Sequence, residues 1–308
     1  MPLALFEEAW LKGQKILLLE PRRLAAKTIA QRLASLLGEE VGQTVGYRIR
    51  FESRVSENTR IEILTEGILT RMLQSDNELE GVGMVIFDEY HERSIHADVA
   101  MALSRESQDV LRPDLRILIM SATLNMPELV SLLNAPVVQS EGRQYPIDLI
   151  YTDLNDERMM AETTAQTVVR ALKEKEGDIL VFLPGQREIT MCADILRHKT
   201  DSIQIHELYG KLPQAKQQAA IRPNKEGRRK IVISTAIAET SLTIEGVRIV
   251  VDSGFGRTAQ FDSKTGLSSL KTIRIAKDSA DQRAGRAGRL GPGTCYRMWT
   301  KGQHAQMK

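Results

Sequence analysis

The apolar run Met84-Val85-Ile86-Phe87 ends in Asp88-Glu89-Tyr90-His91, which puts two carboxylates and an imidazole at the close of one strand-like segment. Acids at the carboxyl end of a buried strand project into the crevice where open α/β sheets bind ligands. One carboxylate there can hold a hydrated Mg2+, and the other can orient or deprotonate an attacking water. A solvated strand end is the other reading of a lone Asp-Glu pair. A second stretch, Gln282-Arg283-Ala284-Gly285-Arg286-Ala287-Gly288-Arg289, spaces three arginines three residues apart. On a helix that spacing steps them around one face, and the guanidinium fork suits the oxygens of phosphate. Gly285 and Gly288 weaken a helix interior, so they imply that a ligand or a second domain approaches the backbone closely. Without a ligand the stretch is a solvated basic face.

Further polar groups follow other apolar runs. Ser121-Ala122-Thr123 ends Leu118-Ile119-Met120; its hydroxyls could bond the Asp-Glu loop or cap the next helix. Glu20-Pro21-Arg22-Arg23 opens a helix with proline near its first turn, where backbone N–H groups and two arginines suit a phosphodiester. Thr65-Glu66-Gly67 repeats the arrangement with one hydroxyl and one N–H. Thr235 to Thr243 clusters hydroxyls after the run Ile231–Ser234, suited to phosphates or to a neighbouring domain. Ordinary strand-to-helix turns account for each of these taken singly. Asp262-Ser263-Lys264-Thr265-Gly266 reads as the tight turn of a projecting hairpin. Arg222, Lys225, Arg228, Arg229 and Lys230 form a basic cluster in a Pro- and Gly-containing loop, read as a solvated linker.

The elements that position these groups are strands alternating with helices. Strands are expected at Lys15–Glu20, Ile61–Thr65, Met84–Glu89, Arg116–Ala122 and Pro136–Gln139. They resume at Asp178–Pro184, Ile203–Leu208, Lys230–Thr235, Val247–Asp252 and Thr294–Trp299. Helices are expected at Arg22–Leu37, Gly67–Gln74, Ala97–Leu111, Pro127–Asn134, Glu157–Lys175, Gln186–His198, Pro213–Ile221 and Ser279–Arg289. Continuous apolar strands between helices indicate doubly wound parallel sheets covered on both faces. The stretch Ser140–Asp156 shows no helical period, which gives domains over 1–140 and 157–308 with a linker at 141–156.

Composition sets the outer limits. A chain of 308 residues with 42% hydrophobic and 27% charged residues builds two ordinary globular cores. Lys+Arg 42 against Asp+Glu 40 leaves a net charge of +2, too small to announce a nucleic-acid partner without local clusters. Cys192 and Cys295 lie far apart without metal-ligand spacing, which suits a reducing compartment. No basic segment followed by an apolar signal core opens the chain, and no apolar run reaches bilayer length. The expected location is the cytoplasm, away from membranes.

Taken together and in order, these segments resemble the DEAH-box branch of superfamily 2 helicases, the bacterial HrpB type in particular. The resemblance is carried by LEPRRLAA (Leu19–Ala26), TEGIL (Thr65–Leu69), DEYHERS (Asp88–Ser94) and SAT (Ser121–Thr123). It continues through VFLPGQ (Val181–Gln186), STAIAETSLTIEGV (Ser234–Val247), VVDSG (Val250–Gly254) and QRAGRAGR (Gln282–Arg289). It covers essentially the whole chain and implies two tandem RecA-like domains of the P-loop NTPase type, which close on ATP while RNA or single-stranded nucleic acid crosses both. By the resemblance, Asp88 holds Mg2+ through water, Glu89 activates the attacking water, and His91 belongs to the same catalytic set. Gln282 helps position the water, and Arg286 and Arg289 reach the phosphates. Ser121 and Thr123 link hydrolysis to domain movement, Ala236 lies in the nucleotide-facing loop, and Arg32 stacks on adenine opposite Ile221. Arg22, Arg23, Thr65, Gly67, Thr235, Thr240 and Thr243 face the nucleic-acid backbone.

The sequence also departs from the family pattern. It contains no G-x-x-x-x-G-K-[ST], a loop that in the family directly precedes the segment resembling Pro2-Leu3-Ala4-Leu5. The expectation is a first domain truncated at its N-terminus, with low ATPase activity from this polypeptide. The helical domains that follow in the family are expected to lie outside the chain and could be supplied by another one. A non-catalytic RNA-binding module, or a remnant lacking ATPase activity, is the alternative function. Tyr90 stands where the family has a smaller residue or phenylalanine, and Ala236 where it has asparagine.

Overall fold

A computed structural model describes residues 1–121, 130–131, 133–139, 145–153, 157–200, 203–222, 227–239, 244–263 and 266–307. The chain forms two compact units, Met1–Gln139 and Ser140–Lys308.

The first unit is built on six strands: β1 (Lys15–Leu19), β2 (Val45–Ile49), β3 (Glu52–Arg54), β4 (Ile61–Leu64), β5 (Val82–Phe87) and β6 (Arg116–Ile119). Their order is β3-β2-β4-β1-β5-β6; β3 alone runs antiparallel, against β2. The side-chain period of two divides the apolar residues between two cores. Ile16, Leu18, Ile61, Ile63 and Ile86 pack with Ala26, Ala30 and Ala34 of helix Arg23–Leu36. Leu17, Leu19, Leu64, Val85 and Phe87 pack on the other face with Leu69 and Leu73 of helix Glu66–Ser75 and with Ala100 and Met101 of helix Ile95–Val110. Coverage of both faces is why these strands read as unbroken apolar runs.

The second unit holds an all-parallel sheet of β7 (Ile147–Tyr151), β8 (Asp178–Phe182), β9 (Gln204–Leu208), β10 (Lys230–Ser234), β11 (Val247–Asp252) and β14 (Gly293–Arg297), in the order β7-β14-β11-β8-β10-β9. Helices Met160–Glu174 and Gln186–Lys199 pack Ala165, Val168, Ile189 and Leu196 onto Ile179, Val181, Ile231 and Val251. Strands β12 (Phe255–Asp262) and β13 (Leu267–Arg274) pair antiparallel as a hairpin, and β13 is exposed along its length. Residues 264 and 265, part of the turn expected at Asp262–Gly266, lie outside the described residues.

Several expectations are corrected. Ile147–Tyr151, inside the stretch read as a linker, is an edge strand paired to β14. Its half-exposed, mixed sequence gives no continuous apolar run, and a distant partner supplies its hydrogen bonds. Strands β2 and β3 were not anticipated, since Gly46, Arg48 and three exposed residues interrupt the pattern. Gly46 is where the backbone of β3 comes closest: a Cβ there would meet the Arg54 carbonyl oxygen. Pro136–Gln139 forms no strand, and Val137 and Val138 are exposed. Four of the eight residues of the helix expected at Pro127–Asn134 lie outside the described residues, and 130, 131 and 133 are helical. The basic cluster is no solvated linker at its end: Lys230 is buried, and Arg229 donates to the carbonyls of Leu172, Lys175 and Gly177. Lys225 is not among the described residues. No helix among them is long and apolar enough to cross a membrane.

Candidate functional site

In the first unit the chemistry gathers where β1, β4 and β5 end. Asp88 follows β5 directly, and its N–H donates to the Leu19 carbonyl at the end of β1 (3.0 Å). Its Oδ1 accepts from the Glu89 N–H at 2.8 Å. Burial pushes the Asp88 carboxyl up to about 6, against the pull of that backbone bond. A carboxylate desolvated in this way gains from a cation beside it. Glu89 sits in the left-handed region with φ 49, and Arg93, four residues on, has φ 45. Two non-glycine residues with positive φ in one loop are held there by their surroundings, a common condition at functional sites. A small cleft opens here, lined by Leu19, Pro21, Glu66, Asp88, Glu89 and Arg93 among others.

Neighbouring groups hold the loop. His91 Nε2 lies 3.5 Å from Glu89 Oε2. The Tyr90 N–H donates to the Met120 carbonyl (3.1 Å), so the segment leading to Ser121 is bonded to the acidic loop through backbone. The Tyr90 ring is buried edge-on to Phe87, its hydroxyl donates to Asp98 Oδ1 at 2.8 Å, and Arg93 lies over its face. Burial and the Asp98 bond push that phenol up to about 12. The larger residue at this position is therefore accommodated with its polar tip paired.

The two strand-to-helix turns read as phosphodiester contacts flank the same loop. Arg22 is the N-cap residue of helix Arg23–Leu36 and pairs with Glu92 at 3.2 Å, while Arg23 is exposed. Thr65 is the N-cap residue of helix Glu66–Ser75 and makes no side-chain capping bond, and Gly67 is exposed with open space where a Cβ would stand. Glu66 accepts from Ser94 Oγ at 2.6 Å. Arg32 lies exposed on its helix and Ser121 is exposed. Thr123 lies outside the described residues.

In the second unit the arginine stretch is helix Lys277–Gly285 running into a 3-10 turn, Arg286–Gly288. The expectation of one arginine face is corrected here. Arg283 and Arg286 are buried and Arg289 is exposed. Arg283 Nη1 bonds Asp252 Oδ1 and the Phe255 carbonyl, its Nε bonds Glu239 Oε2, and its guanidinium lies over the Phe182 ring. Arg286 donates through Nε (2.8 Å) and Nη2 to the Glu239 carbonyl. Glu239 also accepts from Ser279 Oγ at 2.6 Å. One residue at the end of the Thr235–Glu239 turn therefore gathers Ser279, Arg283 and Arg286, and nothing in the sequence pattern singled it out.

The glycines also part company. A Cβ on Gly288 would stand 2.8 Å from Ile147 Cγ1 and from the Tyr145 carbonyl oxygen, so the close approach comes from the chain entering β7. Gly285 has nothing within 4 Å. Gln282 is half-buried, as are Thr235 and Ala236, which begin the 3-10 turn Ala236–Ala238. Thr240 and Thr243 lie outside the described residues. Among the described residues no group of three or more His, Cys, Asp or Glu side chains could hold a metal. A hydrated Mg2+ bound by one carboxylate and substrate phosphates needs no such group, and Asp88 fits it.

Two RecA-like units, one ending its central strands in an acidic pair and the other carrying an arginine-glycine helix, define the core of a superfamily 2 helicase. The family models agree in register: residues 2–132 match the DEAD/DEAH box helicase and residues 161–291 the helicase conserved C-terminal domain. The chain belongs to the DEAD/DEAH-box helicases. It is 49% identical over 305 residues to the ATP-dependent RNA helicase HrpB of Escherichia coli, covering 98% of this chain and 38% of that protein. It is 40% identical over 307 residues to the ATP-dependent RNA helicase HrpA of Borreliella burgdorferi, covering 98% of this chain and 37% of the relative. A crystal structure of the Escherichia coli DEAH/RHA helicase HrpB matches with a TM-score of 0.93 at 48% identity, over 99% of this chain and 39% of that one. The chain thus spans well under half the length of the relatives it matches.

Proposed function

We propose that this chain is the motor core of an ATP-dependent RNA helicase, coupling ATP hydrolysis to movement along a single strand in the cytoplasm. The observation that carries the reading is the loop Asp88–Ser94, where a desolvated carboxylate and a strained glutamate sit between two turns suited to a phosphodiester. Asp88 would hold a hydrated Mg2+, which when bound neutralises charge on the β- and γ-phosphates. Glu89 accepts the proton of the attacking water as its oxygen bonds the γ-phosphorus and the bond to the β-phosphate oxygen breaks, leaving ADP and phosphate. Gln282 orients that water. Arg289, already exposed, and Arg286, on leaving the Glu239 carbonyl, supply positive charge to the transition state. Ser121 and Thr123 relay loop movement, Ala236 lines the nucleotide side, and Arg32 faces the base.

Arg22, Arg23, Thr65, the Gly67 N–H and Thr235, with Thr240 and Thr243, contact phosphates and read no base edges, as sequence-tolerant tracking requires. Two buried free thiols, Cys192 and Cys295, support a reducing compartment. The test is phosphate release from ATP with and without single-stranded RNA, alongside RNA anisotropy across salt. Low, RNA-stimulated turnover that E89Q abolishes, with affinity falling as salt rises, is the expected result, the low rate following from the absence of a G-x-x-x-x-G-K-[ST] in this sequence. Salt-dependent RNA binding with no turnover identifies a binding module. Absence of both removes the reading.

A further inference from the structure

Glu92 stands between the two halves of the first unit's chemistry. Its carboxylate accepts from Arg22 Nη2 at 3.2 Å, and its backbone N–H donates to the Glu89 carbonyl at 2.9 Å. Two residues on, Ser94 bonds Glu66 in the second strand-to-helix turn while capping its own helix through the Ala97 N–H. Both turns are thereby tied by side chains to the segment that carries Asp88 and Glu89. Positive φ at Glu89 and at Arg93 brackets Glu92, so part of this segment's shape is imposed by its contacts.

We propose that Glu92 is a positioning residue that reports RNA to the hydrolytic loop: an RNA phosphate and the Glu92 carboxylate compete for the Arg22 guanidinium. The proposal rests on Arg22 being a phosphate ligand, as read above. The pair suits exchange, since its side chains are 24% and 22% exposed. A fully buried pair resists breaking, and a fully exposed one holds nothing in place. A phosphate offers the guanidinium a bidentate, charge-assisted partner. When it takes Arg22, Glu92 is released and the constraint on Glu89, three residues away along the same turn, is relaxed. RNA bound at one end of the loop thus changes the placement of the general base at the other.

The experiment uses the folded chain without nucleotide and a fluorescein-labelled single-stranded oligouridylate, read by anisotropy. Wild type, E92Q, E92D, R22A and R22A/E92Q are compared, with circular dichroism confirming the fold. E92Q should bind about two- to fivefold tighter, the range set by loss of a partly exposed ion pair. E92D should behave as wild type, R22A should bind more weakly, and the double variant should match R22A. Amide exchange over residues 88–93 should quicken when RNA binds wild type, be quick without RNA in E92Q, and ignore RNA in R22A. If wild type binds RNA while E92Q is no tighter, or the E92Q effect survives in R22A/E92Q, the competition is wrong and the RNA reading stands. If no folded variant binds RNA, the reading of Arg22 fails, and the competition with it.

Discussion

Arg283 and Asp252 form a buried ion pair in the second unit, Nη1 to Oδ1 at 2.9 Å, with side chains 2% and 0% exposed. Asp252 closes β11, and its Oδ1 also accepts the Gly254 N–H at 2.9 Å. Burial drives the Asp252 carboxyl upward and Arg283 opposes it. Glu239 completes the group on the other edge of the guanidinium. Arg283 is therefore committed to holding the helix Lys277–Gly285 against the sheet.

Removing Arg283 alone should be costly. R283A strands an ionised carboxylate in the interior and should lower unfolding stability by roughly 3–5 kcal/mol, measured by urea denaturation near neutral pH. The paired replacement R283M/D252N removes both charges and should recover part of that loss. A loss in R283A smaller than about 1 kcal/mol would place the pair among solvent-exposed bridges.

Gly285 and Gly288 should respond in opposite directions. G288A drives a Cβ into Ile147 and the Tyr145 carbonyl and should cost about 1–3 kcal/mol as β7 shifts. Gly285 has φ −54 and ψ −22, ordinary helical values, and open space around it. G285A should stabilise the unit by about 0.5–1 kcal/mol in thermal or urea unfolding. If G285A gains stability yet loses ATP-dependent activity, the glycine serves a ligand; if activity is kept, it serves neither packing nor ligand.

The contrast shows what a sequence pattern can and cannot carry. Runs such as Val247–Asp252 and Asp178–Phe182 were legible because both faces of a central parallel strand are apolar. Ile147–Tyr151 was not, because an edge strand with Asp148 and Leu149 exposed owes its existence to β14, nearly 150 residues later. Asp88 and Glu89 were legible as an acidic strand end. Glu92, Glu239 and Asp252 were not, since their roles come from guanidinium groups 70, 44 and 31 residues away. A charge in sequence carries no mark of its partner. The three-residue arginine spacing likewise gave no sign that two of the three would be buried.

Lys230 carries a structural load that its place in a basic cluster hides. Its Nζ donates to the carbonyls of Ala220 (3.1 Å) and Arg222 (2.6 Å), where the helix Gln214–Ile221 leaves its last acceptors unpaired. K230M keeps the stem and removes the donors. It should cost on the order of 1–3 kcal/mol and open amide exchange across residues 214–221 while leaving β10 protected. Exchange unchanged in that helix would show that solvent already satisfies its end.

The second unit should lose stability in alkali through its thiols. Cys192 is fully buried, and burial raises its pKa from the ordinary 9.0 to about 12. Cys295, equally buried, is shifted in the same direction. A folded-state pKa above the unfolded value means the fold favours the neutral thiol. That contribution is fully present below pH 9 and is lost as pH climbs from 9 toward 12, by about 1.4 kcal/mol per pH unit for Cys192. Urea midpoints should therefore fall between pH 9 and pH 10.5, and C192A should flatten part of that slope while Cys295 retains the rest. Iodoacetamide at pH 9 should label neither cysteine in the native protein and both in urea. Rapid native labelling of Cys192 would mean that the helix Gln186–Lys199 opens readily from the sheet it covers.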